Sequence, residues 1–221
     1  MLDILKTDQV NLDDLRRIQR NVRNRVIKED RLGNLENIAG CDVSFSEDDR
    51  AVASCVLFSY PEMEEIDAQS VKAKVDFPYI PTFLAFRELV PLLKVVKKID
   101  ADVYMVDAQG IAHPRRAGLA SHMGVTIDRP TIGVAKSKLC GEADEPDEEK
   151  GSYTKLRDEG EVIGAVLRSR SNVNPIYVSI GHKVDLDRAV EITLNSSPKY
   201  KIPEPIRAAH RLATEKMKDD L

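Results

Sequence analysis

The sequence predicts an α/β fold in which a mixed β-sheet is flanked by helices. Three observations support this prediction: β-leaning runs follow one another early in the chain, helical and strand-like segments alternate after them, and no repeat or linker interrupts the sequence. Hydrophobic residues make up 42% of the chain and charged residues 32%, which is enough for a packed core beneath a solvated surface. We therefore expect residues 1–221 to form one domain.

The first expected element is a helix from about Asn11 to Arg31, with Gly33 just beyond its end. Its apolar residues recur at spacings of three and four, as an amphipathic helix requires: Leu12, Leu15, Ile18, Val22 and Val26. The opposite face is basic: Arg16, Arg17, Arg20, Arg23, Arg25 and Lys28. Two interpretations of this face stay open, a solvated helix surface and a stripe that contacts backbone phosphates.

Strands dominate the next segment. β-leaning runs cover Ile38–Phe45, Ala51–Ser59 and about Glu65–Val75, and the turn-forming residues SEDDR separate the first two runs. This order predicts an antiparallel meander. A helical stretch follows from about Thr82 to Lys98, in which Pro91 should kink the helix or start a second one.

The second half of the chain alternates short strands with helices. Asp102–Asp107 is a short apolar strand that ends at an acid. Further strands are expected at Thr131–Ala135, Tyr153–Leu156, Val162–Arg168 and Ile176–Ile180. Two helices then close the chain, near Leu186–Asn195 and Pro205–Lys218.

Three acids stand out by their position among the expected elements. Asp42 lies inside an apolar strand, Asp107 ends another strand, and Glu88 lies in an apolar helical segment beside Arg87. An unpaired carboxylate in such surroundings costs several kcal/mol. A shared divalent cation would offset this cost, and a pair of such ions about 4 Å apart supports phosphodiester cleavage. The alternative is that Glu88 pairs with Arg87 or solvent, while Asp42 makes a local backbone hydrogen bond.

The net charge at first disfavours a nucleic-acid partner, since 33 Lys and Arg against 37 Asp and Glu give −4. The segment Glu142–Glu149 alone contributes six acids, however, and without it the balance is −4 + 6 = +2. Basic clusters at Arg115–Arg116 and Lys136–Lys138 remain, and such local patches are what phosphate contacts require. A nucleic-acid partner is therefore not excluded.

Other function classes are disfavoured. No apolar run reaches the ~20 residues that a transmembrane helix needs, so no membrane partner is expected. Three cysteines without a C-x-x-C pair argue against a disulfide framework or a cysteine-based zinc site. The N-terminus lacks the pattern of a secretory signal, and we expect a cytoplasmic location.

Five blocks between about Ile38 and Leu186 resemble, in the same order, the signature blocks of the endonuclease V family: IAGCDVSF, PYIPTFLAFRE, VDAQGIAHPRRAGLASHMGV, TIGVAKSKLCG and VSIGHKVDL. The resemblance implies a ribonuclease H-like fold, with a mixed five-stranded sheet flanked by helices. It also implies Mg²⁺-dependent hydrolysis of the second phosphodiester bond 3′ to deoxyinosine, which leaves a nick; Mn²⁺ is expected to substitute. The implied partner is inosine-containing DNA, with inosine-containing RNA left open, and the implied state is a monomer.

The same resemblance assigns catalytic roles. The metal-binding carboxylates fall on Asp42, Glu88 and Asp107. His182, in the block GHKVDL, matches an active-site histidine, expected to orient or activate the attacking water or to contact a metal-bound water. Lys136 matches a lysine near the scissile phosphate, a role that suits a point charge on a flexible stem.

Further residues are assigned to lesion recognition. The segment Pro78, Tyr79, Ile80 and Pro81 resembles a strand-separating wedge, since prolines stiffen a loop. The alternative is a rigid proline turn with Tyr79 in the core. The resemblance implies a pocket for the extruded base formed by Gly110, Gly118, Leu119 and Leu139. Arg115 is expected to contact phosphate and His113 to have a structural role.

Two rival functions remain open. The first is a ribonuclease H-like nuclease that acts on inosine-containing RNA, on RNA–DNA hybrids or on other nucleic-acid structures. The second is a non-catalytic nucleic-acid-binding module. The carboxylate cluster argues against the second function, because a protein that only binds nucleic acid has no use for acids that repel phosphate.

Overall fold

The computed structural model describes residues 11–46 and 49–219, and its framework is an eight-stranded mixed sheet with helices packed on it. The strands are β1 (Asn37–Phe45), β2 (Arg50–Ser59), β3 (Glu65–Lys74), β4 (Val103–Val106), β5 (Thr131–Ala135), β6 (Tyr153–Asp158), β7 (Glu161–Leu167) and β8 (Ile176–His182). The helices are α1 (Leu12–Arg25), α2 (Leu84–Val96), α3 (Leu119–Ile127), α4 (Leu186–Asn195) and α5 (Glu204–Lys218). The predicted α/β class is confirmed.

The strand order is β3-β2-β1-β4-β5-β8-β7-β6. β1, β2 and β3 form the predicted antiparallel meander, β4 and β5 add to β1 in parallel, and β8, β7 and β6 continue the sheet in antiparallel fashion. The sheet therefore has eight strands instead of the expected five. The five strands β3-β2-β1-β4-β5 make up one side, and the other three extend the sheet beyond β5.

Alternation along β1 divides the core between the two faces of the sheet. Ala39 and Cys41 pack in the cluster that α2 and α3 cover, whereas Ile38 packs in the cluster that contains residues of α4 and α5. Successive side chains of a strand point to opposite faces, so Asp42 shares the α5 face with Ile38 and Gly40. This periodicity determines which helix can reach Asp42.

Helix α1 ends at Arg25 and not at Arg31 as predicted. The backbone of Val26 is extended, and the following residues pair with the chain just after β8. The Lys183 N–H donates to the Ile27 carbonyl at 2.8 Å, and the Arg31 N–H donates to the Lys183 carbonyl at 3.2 Å. These tertiary backbone bonds replace the helical ones that the apolar spacing suggested.

The sequence did not predict helix α3. Residues Leu119 to Val125 are all buried, so the helix has no polar face and no amphipathic period. Its N-cap is Gly118, which makes no side-chain capping bond.

Helix α2 continues through the buried Pro91 and is not split there. None of the described helices combines the length and apolarity needed to cross a membrane.

Gly40 determines how closely α5 approaches the sheet. A Cβ atom at this position would overlap the backbone carbonyl of Pro205, at the start of α5. Gly40→Ala should therefore push α5 away from β1 and lower the free energy of unfolding by about 1–3 kcal/mol, the usual cost of overpacking. Gly33→Ala is the matched control, since its Cβ would meet nothing within 4 Å. Chemical denaturation of the two variants measures the difference, and equal stabilities would contradict the prediction.

Candidate active site

Strand pairing brings Asp42 and Asp107 together. Cys41 of β1 lies opposite Val106 of β4 in the parallel pair, so the next residue of each strand is an acid at the same end of the sheet. The backbone N–H of Asp107 donates to the Cys41 carbonyl at 3.0 Å, which extends this register by one bond. The two predicted carboxylates are therefore neighbours because of the sheet itself.

A histidine from α5 completes the group. Nδ1 of His210 lies 2.8 Å from Oδ2 of Asp42. Asp42, Asp107 and His210 each offer one ligand atom, and these atoms lie within 4.8 Å of one another. His210 was absent from the residues singled out in the sequence, because it stands in an ordinary amphipathic helix with no motif around it.

Glu88, on α2, interacts electrostatically with the same two acids, although its carboxylate is not one of the three ligand groups that lie within 4.8 Å of one another. Its pKa is raised to about 8, first by burial, then by the charges of Asp42 and Asp107, against a smaller opposing effect of Arg87. The pKa of Asp42 is also raised, chiefly by burial and then by Asp107, while its bond to His210 opposes the rise. Carboxylates in this state favour a divalent cation, because a cation relieves their repulsion. The donor set, with carboxylate oxygens and one imidazole nitrogen, suits such an ion.

Lys136 also reaches the site, from the residue that follows β5. Its Nζ donates to Oδ2 of Asp107 at 2.6 Å, and about half of the side chain is exposed. Asp42, Asp107, Lys136 and His210 line one open cleft of about 480 Å³. The cleft thus combines acids for a cation with a mobile positive charge beside them.

His182 does not belong to this group, which corrects the expectation that it lies in the active site. It ends β8 opposite Thr131, at the start of β5, and Thr131 pairs with Tyr104, three residues before Asp107. This register separates His182 from the acids by roughly 10 Å along the strands. Its Nδ1 accepts from the Ile27 N–H at 3.2 Å, so it holds the segment after α1.

The segment Pro78–Pro81 presents its tyrosine to solvent. The Tyr79 side chain is 68% exposed, so the alternative that buries it in the core does not hold. Ile80 instead packs against a small buried cluster that contains Phe77 and Phe83. The loop is therefore anchored on one side and exposed at its tip.

The base of this loop is tied to two other parts of the chain. The Thr82 carbonyl accepts hydrogen bonds from Gln19 of α1, from His113 and from Arg115, each at 2.9 Å. The Arg115 guanidinium also donates to Gln19 and stacks 4.4 Å from the Phe83 ring centroid. The Arg115 guanidinium is therefore bound within the protein, whereas the sequence suggested that it contacts a phosphate. Burial lowers the pKa of His113 to about 4, which keeps its ring neutral and agrees with a structural role.

Arg116, the next residue, is also internal. It is buried and donates to Asp158 and Glu161, both at 2.8 Å. On α1, Arg16 and Arg17 pair with Asp13 and Asp14 at the exposed surface.

The four residues expected to line a base pocket have different surroundings. The Gly118 N–H donates to the Gly110 carbonyl at 2.9 Å, so these two glycines lie together. A Cβ on Gly110 would overlap the Ile180 backbone, which means that internal packing already requires a glycine there. Leu119 is buried in the core, whereas Leu139 is 45% exposed in the loop after β5. The pocket stays a prediction.

Comparison with known proteins supplies independent evidence. The family model described as Endonuclease V matches residues 20–211. The endonuclease V of Methanothrix thermoacetophila is 50% identical over 191 residues, which cover 86% of this chain and 85% of that protein. The crystal structure of endonuclease V from Streptomyces avermitilis is 36% identical and superposes with a TM-score of 0.90, covering 95% of this chain and 94% of that one.

Two further structures extend the comparison. An endonuclease V from Ciona intestinalis, solved with a 24mer DNA containing an inosine followed by a ribo-adenosine, is 29% identical with a TM-score of 0.84 and covers 95% of this chain and 99% of that one. The Argonaute of A. aeolicus matches 84% of this chain with a TM-score of 0.51 at 15% identity, which bears on the fold alone. The ribonuclease H-like fold class is thereby confirmed.

Cation binding should release a proton from Glu88. With a pKa of about 8, this carboxyl is protonated at pH 7, so a divalent cation bound beside it would compete with the proton, and cation affinity should fall as the pH drops below 8. Titration calorimetry at pH 7 in two buffers of different ionisation enthalpy should detect close to one released proton, and clearly less at pH 9. Glu88→Gln should remove this release, whereas Glu62→Gln at an exposed turn should not. Equal proton release by Glu88→Gln and the unsubstituted chain would assign the proton to another group.

Proposed function

Because the chain belongs to the endonuclease V family and is therefore a nuclease, we propose that it recognises deoxyinosine in DNA and hydrolyses the second phosphodiester bond 3′ to the lesion. The product is a nick, as a repair pathway requires. The observation that carries this proposal is the meeting of Asp42, Asp107 and His210 within 4.8 Å, beside Lys136 and the partly buried Glu88. The inosine-containing DNA bound by the Ciona relative supports the choice of substrate.

The proposed cation is Mg²⁺, with Mn²⁺ able to replace it. Asp42 and Asp107 would hold it, with Glu88, whose pKa responds to both acids, as the third carboxylate that the sequence suggested. When bound, Mg²⁺ stabilises negative charge on phosphate oxygens and favours the deprotonation of water.

His210 and Lys136 have separate tasks in this proposal. Nδ1 of His210 faces Asp42 at 2.8 Å, so Nδ1 carries the proton of this bond and Nε2 is left as an acceptor that can orient a water. Lys136 pairs with Asp107 at 2.6 Å, and its flexible stem lets it turn toward the scissile phosphate once Asp107 has another cationic partner. His182 has no catalytic task in this proposal, since it holds the segment after α1.

Tyr79 and Ile80 are proposed to enter the duplex beside the lesion. Tyr79 is exposed, and the three hydrogen bonds to Thr82 hold the base of the loop in place. A mismatched base is cheaper to extrude than a paired one, and an aromatic ring can fill the gap. The extruded hypoxanthine would lie near Gly118 and Leu139, and a pocket closed where guanine carries its 2-amino group would reject guanine. In this proposal Arg115 stiffens the wedge from within.

Three further predictions accompany the proposal, on the oligomeric state, the location and the alternative substrate. The chain is expected to act as a monomer and in the cytoplasm. Inosine-containing RNA is kept as an alternative substrate, and a cleavage panel has to separate the two.

The proposal predicts that Asp42→Asn and Asp107→Asn each lower the cleavage rate by about three orders of magnitude, since loss of cation stabilisation costs several kcal/mol. The measurement uses single-lesion oligonucleotides with Mg²⁺: deoxyinosine duplex, inosine RNA, RNA–DNA hybrid and undamaged duplex, with mapped product ends. Asp144→Asn, in the exposed acidic loop, is the matched control and should keep full activity. Thermal melts establish that each variant is folded.

The panel distinguishes three outcomes. Cleavage of the deoxyinosine duplex at the second 3′ bond supports the proposal. Preferred cleavage of inosine RNA or of the hybrid would favour the alternative nuclease. Full activity of Asp42→Asn would overturn the assignment of the site.

Tyr79→Ala should lower cleavage of the deoxyinosine duplex by about 10- to 100-fold, the range that loss of one base-stacking ring produces. A single-stranded substrate should lose much less, because no partner base has to be replaced. Tyr153→Ala removes another exposed tyrosine, on β6, and should change neither rate. An equal loss on both substrates would show that Tyr79 does not act by separating strands.

A further inference from the structure

A second cleft of about 610 Å³ adjoins the candidate active site, and nothing in the proposed reaction uses it. Lys136 and His210 line both clefts, so the second begins where the catalytic group ends. Its other walls come from the β7–β8 turn, from the segment before α5 and from α5 itself: Arg170, Tyr200, Lys201, Ile202, Ile206, Arg207 and Arg211.

The lining of this cleft carries one sign of charge. Five Lys and Arg side chains line it, counting Lys136, and no Asp or Glu does so among the residues that the structure describes. Within residues 11–46 and 49–219, neither Arg170 nor Arg211 forms a salt bridge, and both are exposed. Exposed cations without an acidic partner, as at Arg170 and Arg211, raise the local positive potential although the chain as a whole carries −4.

The cleft is also held in shape by contacts of its own. The Arg207 guanidinium stacks 3.3 Å from the centroid of the Tyr200 ring, and it is 3.5 Å from Glu204. The buried Ser169 donates to the Lys201 carbonyl at 2.5 Å, which joins the β7–β8 turn to the segment before α5. The two walls of the cleft are therefore joined to one another before any ligand arrives.

We propose that this basic cleft, which runs from Lys136 to Arg170 and Arg211, binds the phosphodiester backbone of a DNA strand on one side of the scissile phosphate. The inference rests on the proposed function, because a polymer cut beside Asp42 and Asp107 must leave the active site along a neighbouring surface. Successive phosphates are strong anions that match a row of cations, and Arg presents planar donors to their oxygens. The carboxylates of Asp42 and Asp107 in the first cleft repel the phosphates of DNA. The cations of the second cleft attract them.

The double variant Arg170→Gln/Arg211→Gln tests the proposal. We expect its Kd for duplex DNA to rise about 10-fold at 0.15 M salt, and the slope of log K against log salt to fall by about 2, one phosphate contact for each arginine. The rise should be the same for inosine-containing and plain duplex, since phosphates carry no base information. The kcat at saturating deoxyinosine duplex should stay within about twofold of the unsubstituted chain.

Lys94→Gln/Lys97→Gln is the matched control, because it removes two exposed charges from the end of α2 that leads toward the start of β4, away from Asp107. A second readout uses duplexes extended on one side of the lesion only. The affinity gained by extension on one side should vanish in Arg170→Gln/Arg211→Gln, while the gain on the other side persists.

Three results would overturn the proposal: no greater loss of affinity than in the control, an unchanged salt slope, or a fall in kcat with unchanged Kd. Binding is measured without divalent cations, which keeps this test separate from cleavage. If the unsubstituted chain binds DNA through these arginines yet never cuts deoxyinosine duplex, the proposed function fails and the cleft assignment stands.

Discussion

The burial of mutually repelling carboxylates beside the junction of β1 and β4 is the constraint on which the rest of the structure depends. The pKa values of Asp42 and Glu88 are both raised, because each group is buried near other acids. Such repulsion costs several kcal/mol unless cations offset it. Lys136 comes from the end of β5 and His210 from α5, so both elements must lie close to β1. The absent side chain of Gly40 is thus part of the site, since it permits the approach of α5.

The same segment that carries an acid also anchors the exposed loop. The chain that leaves β4 at Asp107 continues through His113 and Arg115, and both of these donate to the Thr82 carbonyl. Gln19 adds a third bond to this carbonyl from α1. The position of Tyr79 is therefore coupled to the carboxylate group through a short, buried connection. The proposed wedge would need this arrangement, because its tip would have to enter the duplex at a fixed distance from the bond to be cut.

Elements and residues marked by a local sequence pattern could be predicted. Those whose position depends on tertiary contacts could not. Asp42 and Asp107 were singled out because each is an acid at a distinctive place in an apolar strand, and the pairing of β1 with β4 places them next to one another. His210 was missed because it meets Asp42 from 168 positions away, and no local pattern marks a helix face that will meet a sheet. His182 was chosen from a resembling block, yet its register with Thr131 lies at the other end of β5. Helix α3 escaped notice because complete burial removes the amphipathic signal.

The distribution of charge explains how a chain of net charge −4 can approach a polyanion. The acidic segment Glu142–Glu149 is held near the end of β7 by the buried Arg168, which donates to Glu145 at 2.8 Å and to the Asp147 carbonyl at 3.1 Å. None of its acids is among the residues that line the two clefts sharing Lys136 and His210. One of these clefts concentrates carboxylates that require a cation, and the other concentrates cations that require an anion. Since fields near a surface are screened over about 8–10 Å, a phosphate there responds to the local groups and not to the total. The kind of partner is therefore determined by the order of charges along the clefts, and the net charge of the chain has little influence on it.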